Sequence, residues 1–418
     1  MTRTLLRGGC VLTMGRVNHP VADVLIDGDT IVEVGPGLRA RDAEVVDATD
    51  AIVMPGFVDA HRHASDSLFR HGPTANAAGM GRRFTAEDAY AATLLGLLGA
   101  LDAGITAVVD WCSIGADADT TAAVLQAHRD SGVRSVLVHA ATPGEDWPAG
   151  LRRTAAAERG PLTTVAAGLP DLHPGTIDAI TSDWAVAREL GLRIHVHAGV
   201  TSGDAGTAVA LSQRGLLGSD TTLVHGTHFG DADFEAVAAA GCGVALAPAS
   251  VMAAGGGAPP IQALLDRGIR PGLGAESERL TPGDSFAQMR SVISVQHATV
   301  FERKLAGKAG LPKLLTTRDV IRYATVDGAA VVGLATGVIE SGRSADVIVL
   351  RTDRPNIHPI NDAIGAVVWG MDTSNVDWVF VAGQALKRNG ELVVDSGRAR
   401  ALAVAARDRM SVVAGSGR

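Results

Sequence analysis

The stretch Met54-Pro55-Gly56-Phe57-Val58-Asp59-Ala60-His61-Arg62-His63 decides the architecture of this chain. An apolar run follows Gly56 and ends in two histidines separated by one residue, a pattern typical of a strand. Because successive side chains of a strand point to opposite faces, His61 and His63 share one face and Arg62 points the other way. Two imidazoles on one face can chelate a divalent metal. An isolated His-x-His is weak evidence, so the rest of the chain has to support a metal site.

Outward from this stretch, short apolar runs alternate with alanine-rich helical stretches through the middle of the chain. Strands are predicted at 105–110, 133–139, 192–197 and 222–225, and helices at 120–130, 177–190 and 231–240. Repeated strand–helix units indicate a parallel sheet, and they are numerous enough for an α/β fold of the (β/α)8 TIM-type barrel kind. An open doubly wound sheet is the competing architecture, but no glycine-rich dinucleotide fingerprint follows the first strand.

Both ends of the chain are rich in β-forming residues. Two such runs surround Asp27-Gly28, which is a hairpin signal, and strands are predicted again at 345–350 and 376–381. The simplest account is a small β-sandwich domain formed from both chain termini, with the barrel inserted between them. We therefore predict β-sandwich segments at 1–54 and 336–418, the second with a C-terminal tail, around a barrel at 55–335.

Residues able to bind a metal lie at predicted strand ends, and in a barrel the carboxyl ends of the strands carry the active site. They are His61, His63, His197, His225 and Glu276. A metal held by imidazoles and a carboxylate keeps an open position for water, and it lowers the pKa of that water towards neutrality. The pattern indicates metal-dependent chemistry.

Composition limits the partners. The 418 residues are 46% hydrophobic and 20% charged, with a formal net charge of −8. No basic stripe is present to neutralise phosphates, so nucleic acid is disfavoured and a small-molecule substrate is expected. No run of about 20 uncharged apolar residues is present, so no membrane partner is expected and a cytoplasmic location is predicted.

Together these motifs resemble the amidohydrolase superfamily, and within it the cytosine/guanine/S-adenosylhomocysteine deaminase and triazine chlorohydrolase group. Residues 54–63 are similar to the family's Pro-Gly-(Leu/Phe)-(Val/Ile)-Asp-x-His-x-His. Residues 102–110 resemble its Gly-x-Thr-x-x-x-Asp strand. Residues 324–330 and 337–350 resemble the helix after the last barrel strand and the return to the β-domain. The resemblance covers nearly the whole chain.

The resemblance implies metal ligation by His61 and His63 from the first strand and by His197 from the fifth. Glu276 stands where the family has the metal-binding Asp of a Gly-Thr-Asp motif, and His225 is the sixth-strand histidine that contacts water or substrate. His225 and Glu276 are thus the implied catalytic groups. One divalent metal is expected, and zinc is favoured over iron. Nitrogen and carboxylate ligands do not by themselves distinguish the two metals. A homodimer is expected only by analogy.

Two positions depart from that pattern. Glu276 places its carboxylate one methylene further out than Asp, and a shift of about 1 Å can weaken catalysis by about 10²-fold. Val200 stands three residues after His197, where the deaminases carry a Glu that protonates the substrate ring. Valine cannot transfer a proton. Residues 247–250, Ala-Pro-Ala-Ser, replace a His-Asn-Pro that is common in related deaminases.

Three interpretations stay open. The chain could hydrolyse a substrate that needs no ring protonation, such as an amide, a lactam or an activated aryl chloride. Another carboxylate could replace the missing Glu, with Glu278, Asp66 and Asp171 as candidates. The barrel could instead serve a non-hydrolytic lyase, isomerase or cyclase. We favour the first: a metal-dependent hydrolase acting on a C–N or C–Cl bond of a small cyclic or heteroaromatic substrate. A metal-free binding protein is the rival from another class.

Five further residues are predicted to contact the substrate. His173 lies at a predicted fourth-strand end, Trp111 could stack on a planar ring, and Asp66 lies in the loop after the first strand. His228 follows the sixth strand. Glu278 lies two residues after Glu276 and could face the same way.

Overall fold

The computed structural model describes residues 3–71, 84–114, 117–141, 145–158, 160–172 and 174–415. The N-terminal strands are β1 (Arg3–Val11), β2 (His19–Asp27), β3 (Thr30–Gly35), β4 (Ala43–Asp47) and β5 (Ala51–Pro55). The hairpin predicted around Asp27-Gly28 is present, because β2 and β3 pair antiparallel across it.

A single glycine, Gly56, separates β5 from the first barrel strand. The barrel strands are β6 (Phe57–Arg62), β7 (Ile105–Cys112), β8 (Arg134–Ala140), β9 (Thr163–Leu172), β10 (Ile194–Ala198), β11 (Thr221–His225), β12 (Gly243–Leu246) and β13 (Gly272–Leu273). They pair parallel in chain order. Beyond β13 the sheet closes on β6, where Glu276 N–H donates to His61 O at 2.9 Å and His63 N–H donates to Glu276 O at 2.7 Å.

The C-terminal strands complete a second sheet. They are β14 (Val347–Arg351), β15 (Val376–Val381), β16 (Gln384–Arg388) and β17 (Glu391–Leu392). This nine-stranded mixed sheet has the order β17-β16-β15-β14-β5-β1-β2-β3, with β4 paired to β1. The predicted fold class, a (β/α)8 barrel with a β-domain built from both termini, is confirmed. The segment limits 1–54, 55–335 and 336–418 stay a prediction.

Most helices follow barrel strands, and the last two follow strands of the second sheet. They are α1 (Ala86–Asp102), α2 (Ala118–Ser131), α3 (Trp147–Ala157), α4 (Ile177–Glu189), α5 (Thr207–Gln213), α6 (Asp231–Ala240), α7 (Pro248–Ala253), α8 (Ile261–Leu265), α9 (Ser285–Leu305), α10 (Thr317–Tyr323), α11 (Val326–Val331), α12 (Ala363–Trp369) and α13 (Ser396–Gly415). Short 3₁₀ turns occupy Ala64–Phe69, Ser202–Asp204 and Thr373–Asn375. Across the described ranges, no helix combines the length and apolar character that crossing a bilayer requires.

Local sequence sets where these helices start and stop. Asp117 caps α2 by accepting the Thr120 N–H, and Gly132 ends it in a left-handed conformation at φ 71°. Gly241 ends α6 in the same way at φ 67°. Only glycine adopts this conformation at no steric cost, which is why it so often follows the last helical turn. These two helices therefore end within a few residues of the strands that follow them.

Candidate metal centre

Four side chains from different strands converge at the carboxyl end of the barrel. His61 is on β6, His197 is on β10, His225 ends β11, and Glu276 follows β13. One ligand atom from each lies within 4.8 Å of all the others. His61 Nε2 is 3.0 Å from His197 Nε2, and Glu276 Oε2 is 3.1 Å from His61 Nε2 and 3.4 Å from His225 Nε2. We call these four residues, which together could hold one metal ion, the metal cluster.

His63 adjoins the metal cluster on its carboxylate side. Its Nε2 is 3.5 Å from Oε1 of Glu276, and its ring stacks at 5.8 Å on that of His197. The two oxygens of Glu276 thus face different histidines. Oε2 faces His61 and His225, and Oε1 faces His63.

Two members of the metal cluster have a left-handed backbone. His225 has φ 82° and Glu276 has φ 61°, a conformation that costs a non-glycine residue roughly 1–3 kcal/mol and that concentrates at functional sites. Hydrogen bonds on both sides hold these backbones. Gly226 N–H donates to Ala198 O at 2.8 Å, and Glu276 exchanges two backbone bonds with His61 and His63.

The electrostatics of the cluster suit a cation. Burial lowers the pKa of His61 to about 3, so its imidazole is neutral at physiological pH. Burial raises the pKa of the Glu276 carboxyl, but the nearby His225 and His61 outweigh it and hold that pKa well below its usual value. Oε2 of Glu276 is buried and accepts no hydrogen bond from the residues that the structure describes. Imidazoles around an ionised carboxylate are a donor set that a divalent metal of the zinc type prefers.

Buried side chains support the ligands from behind. Trp111 is 5% exposed, and its ring stacks on His197 with centroids 4.2 Å apart. Asp110 accepts the backbone N–H of Ala64 at 2.9 Å and contacts His128 Nε2 at 3.0 Å. These contacts fix the turn that follows His63, and such outer contacts orient metal ligands.

A cavity of about 320 Å³ opens beside the metal cluster. His225 and Glu276 form part of its wall, and the other lining residues are Asp66, Val200, Thr227, Ser250, Val251, Ala254, Gly256, Ser277, Arg279 and Leu280. The Asp66 carboxylate already has two partners there, because it accepts from Arg279 at 2.8 Å and from the Ser277 hydroxyl at 2.7 Å. Apart from the metal cluster, the described wall is therefore mostly apolar.

The predicted substrate-binding residues fall in different places. Asp66 lines the cavity, and Trp111 packs against His197. His228 and Glu278 are absent from the described lining; Glu278 instead pairs with Arg62 and Arg70. His173 lies outside the described residues.

Sequence reasoning did not single out several residues of the cavity wall. Arg279 and Leu280 belong to the loop that also carries Glu276. Their place in the loop after the last barrel strand could have predicted that they line the cavity. Ser250 lies in the 247–250 segment already noted as unusual.

Comparison with known proteins agrees with this arrangement. A family model described as the amidohydrolase family matches residues 52–386, so the chain belongs to the amidohydrolase family. A 5-methylthioadenosine/S-adenosylhomocysteine deaminase of Haloarcula marismortui is 30% identical over 93% of this chain and 94% of that protein. A 5'-deoxyadenosine deaminase of Methanothermobacter thermautotrophicus is 27% identical over 93% and 94%.

Solved structures share the fold. An adenosine deaminase from Xanthomonas campestris with bound zinc superposes with a TM-score of 0.84 at 21% identity, covering 98% of this chain and 99% of that one. An atrazine chlorohydrolase from Arthrobacter aurescens TC1, complexed with zinc, gives 0.80 at 24% identity over 97% and 100%. The predicted family and the amidohydrolase-type hydrolase are confirmed, and the non-hydrolytic alternative is not favoured. A divalent metal site is supported, as is a small-molecule substrate.

Proposed function

We propose that this chain is a zinc-dependent hydrolase that cleaves a C–N or C–Cl bond of a small planar ring, without a proton donor at position 200. One observation carries the proposal: the metal cluster opens on a cavity whose wall at that position is Val200, which is 37% exposed. The zinc found in two fold neighbours supports the choice of metal.

His61, His63, His197 and Glu276 would hold the cation. When bound, the metal supplies Lewis acidity that lowers the pKa of water. Oε1 of Glu276, which faces His63, would take a proton from the water that attacks the ring carbon, because the carboxylate is ionised near neutral pH. The C–N or C–Cl bond then breaks, and the proton passes to the departing amine or, when chloride leaves, to solvent. His225 lies in the cavity wall and stabilises charge that develops on the substrate.

The cavity limits the substrate. About 320 Å³ is at the small end of ligand sites, which suits one or two rings. Val200, Val251 and Leu280 offer apolar contact, while Asp66 already has two partners. A neutral, mostly apolar ring with a good leaving group fits this wall best.

Deamination of an adenine nucleoside is the second candidate. The names of the similar deaminases favour it, and so does the presence of Asp66 in the same cavity as Val200. In that case Asp66 would leave Arg279 and supply the proton that Val200 cannot. Homodimer formation and a cytoplasmic location stay predictions.

The test is metal analysis of the purified protein combined with turnover of three probes: a chloro-substituted triazine, a lactam and 5'-deoxyadenosine. We expect one divalent metal per chain, and release of chloride or opening of the lactam with ¹⁸O incorporated from labelled water. His197→Ala should remove both metal and turnover. Product without ¹⁸O would contradict hydrolysis.

Asp66→Asn separates the two candidates. Under the main proposal it leaves turnover of the chloride or lactam largely intact. If the wild type deaminates 5'-deoxyadenosine and Asp66→Asn does not, the main proposal is overturned in favour of the second candidate. Metal-free protein whose activity survives His61→Ala would overturn both.

A further inference from the structure

A fully buried arginine lies between the two histidines of the first barrel strand. The Arg62 side chain is 1% exposed. Its Nε donates to Asp59 Oδ2 at 2.7 Å, its Nη1 lies 3.2 Å from Glu278 Oε1, and its Nη2 donates to the carbonyl of Gly283. A guanidinium is tolerated at such depth only where carboxylates offset its lost hydration. Two acidic side chains, Asp59 and Glu278, therefore offset the charge of one buried arginine beside the metal cluster.

A β-bulge in β6 creates this arrangement. β6 advances three residues, from Asp59 to Arg62, where β7 advances two, from Val108 to Asp110. Because of the extra residue, Asp59 and Arg62 come to the same side although they are three apart in a strand. Asp59 also accepts the backbone N–H of Ala275 at 3.1 Å, so the arginine is linked to the residue just before Glu276.

Glu278 links the same arginine to the chain just after Glu276. Its Oε2 accepts from Arg70 Nε at 3.0 Å and from Arg70 Nη2 at 2.6 Å, while its Oε1 faces Arg62. Gly283 packs so closely that an added Cβ would lie 2.2 Å from Glu278 Oε1. Both ends of the segment from Ala275 to Glu278 are thus connected to Arg62, through Asp59 at one end and directly at the other. Glu276 lies between these two connections.

We propose that Arg62 and Glu278 are positioning residues, which hold Glu276 in its left-handed backbone conformation and so set where its carboxylate meets His61 and His225. The inference rests on the proposed metal-dependent function and deepens it. In this role Glu278 acts through Glu276 and does not contact substrate. The pair fixes the backbone from which the longer Glu side chain starts, and this is how the site accommodates one methylene more than an Asp.

Glu278→Gln tests the proposal, with Asp346→Asn as its matched control. Both changes replace a buried, arginine-paired carboxylate by its amide, because Asp346 is unexposed and pairs with Arg134 at 2.7 Å, away from the metal cluster. Four quantities are measured in each variant: zinc affinity by competition with a chromogenic chelator, the d–d absorption of the Co²⁺-loaded protein, kcat and KM, and the thermal midpoint.

We expect Glu278→Gln to weaken zinc affinity by about 10- to 100-fold, to shift the Co²⁺ absorption, and to lower kcat without a matching rise in KM. Asp346→Asn should lower the thermal midpoint and leave zinc affinity and the Co²⁺ spectrum unchanged. The loss caused by Glu276→Asp should also be smaller in the Glu278→Gln background than in the wild type, because coupled residues are not additive.

The proposal is overturned if Glu278→Gln behaves like Asp346→Asn, with lower thermal stability but unchanged zinc affinity and Co²⁺ spectrum. If Glu278→Gln does not fold, Glu278→Asp replaces it, since the shorter side chain keeps the charge but draws the carboxylate away from Arg62. An unchanged zinc affinity and spectrum in Glu278→Asp then overturn the proposal. Wild-type protein that binds no metal would instead contradict the proposed function itself.

Discussion

The side chain of Val200 lines the cavity beside His225 and Glu276, and in the proposed function this is the position from which a general acid would protonate the ring. Its backbone N–H donates to Asp204 Oδ2 at 2.7 Å, so the position of the residue is fixed by a contact that its side chain does not make. The wall at this point can therefore be changed without disturbing the turn.

Val200→Glu should add deaminase activity. A positioned general acid contributes about 10²–10⁴-fold, so we expect at least about a tenfold gain in turnover of 5'-deoxyadenosine, measured as ammonia release. Val200→Gln is the matched control because it has the same shape and no proton to give. An equal gain in both variants, or none in either, would contradict the assigned role of position 200.

Metal binding should depend on pH through His63. Burial lowers the pKa of this imidazole, but its contact with Glu276 raises it more, so the net pKa lies above the ordinary 6.5. A proton is bound below that pKa, and a ligand must lose it to bind metal. Zinc affinity should therefore begin to fall while the pH is still above 6.5, as it drops through this raised pKa, by about tenfold per pH unit for one proton. Chelator competition measures this.

His63→Asn is the control for that dependence. The variant lacks the titrating imidazole, so the slope of log affinity against pH should be about one unit smaller over the same range. If His63→Asn kept the same slope as the wild type, groups other than His63 would be responsible for the pH dependence of zinc binding.

For single residues, the sequence predicted which side chains meet at the site, but not the backbone geometry and pairing that position them. The strand-end positions of His61, His197, His225 and Glu276 were enough to predict that they meet, because parallel strands end at one face. The bulge in β6, the left-handed backbone of Glu276 and the pairing of Glu278 with Arg62 were not predictable. They depend on register and on contacts between residues more than 200 positions apart.

The closure between β6 and the segment after β13 is the element on which the site depends most. Gly274 packs against His61 so closely that an added Cβ would lie 2.5 Å from the His61 carbonyl oxygen and 2.7 Å from its nitrogen. Backbone atoms cannot move aside as a side chain does, so only glycine fits at this crossing.

Gly274→Ala should therefore destabilise the barrel by about 1–3 kcal/mol and weaken zinc binding, because the backbone of His61 has to shift. Denaturant unfolding and chelator competition measure the two effects. Gly35→Ala is the control, since its added Cβ would meet only Leu38 at 3.9 Å. If Gly274→Ala matched Gly35→Ala in both measurements, the closure would not constrain the site.

Sequence patterns predicted the regular elements well where local signals were strong. The helix predicted at 231–240 is α6, ended by Gly241, and the strand predicted at 345–350 is β14, at Val347–Arg351. Short strands gave weaker signals. β13 has two residues, and its pairing is set by its neighbours rather than by its own periodicity.

Metal and fold should be linked in the molecule as a whole, because the metal cluster joins β6, β10, β11 and the loop after β13. A ligand that binds only the folded state at 100 times its Kd stabilises it by about 2.7 kcal/mol. Removal of zinc by a chelator should lower the thermal midpoint by a few degrees, and added zinc should restore it. His61→Asn should show no such response. An unchanged midpoint in the wild type would mean that the metal is bound weakly or not at all.

The position of β14 between β5 and β15 has a consequence for the order in which the chain is made. β5 runs through Gly56 directly into the strand that carries His61 and His63, yet its neighbour β14 begins only at Val347. A ribosome that has completed the whole barrel has therefore not yet delivered the strand that covers β5. Until then β5 presents an open edge, the kind of surface on which nascent chains aggregate. The sheet around β5, which leads into the first barrel strand, is thus among the last parts of this protein to be completed.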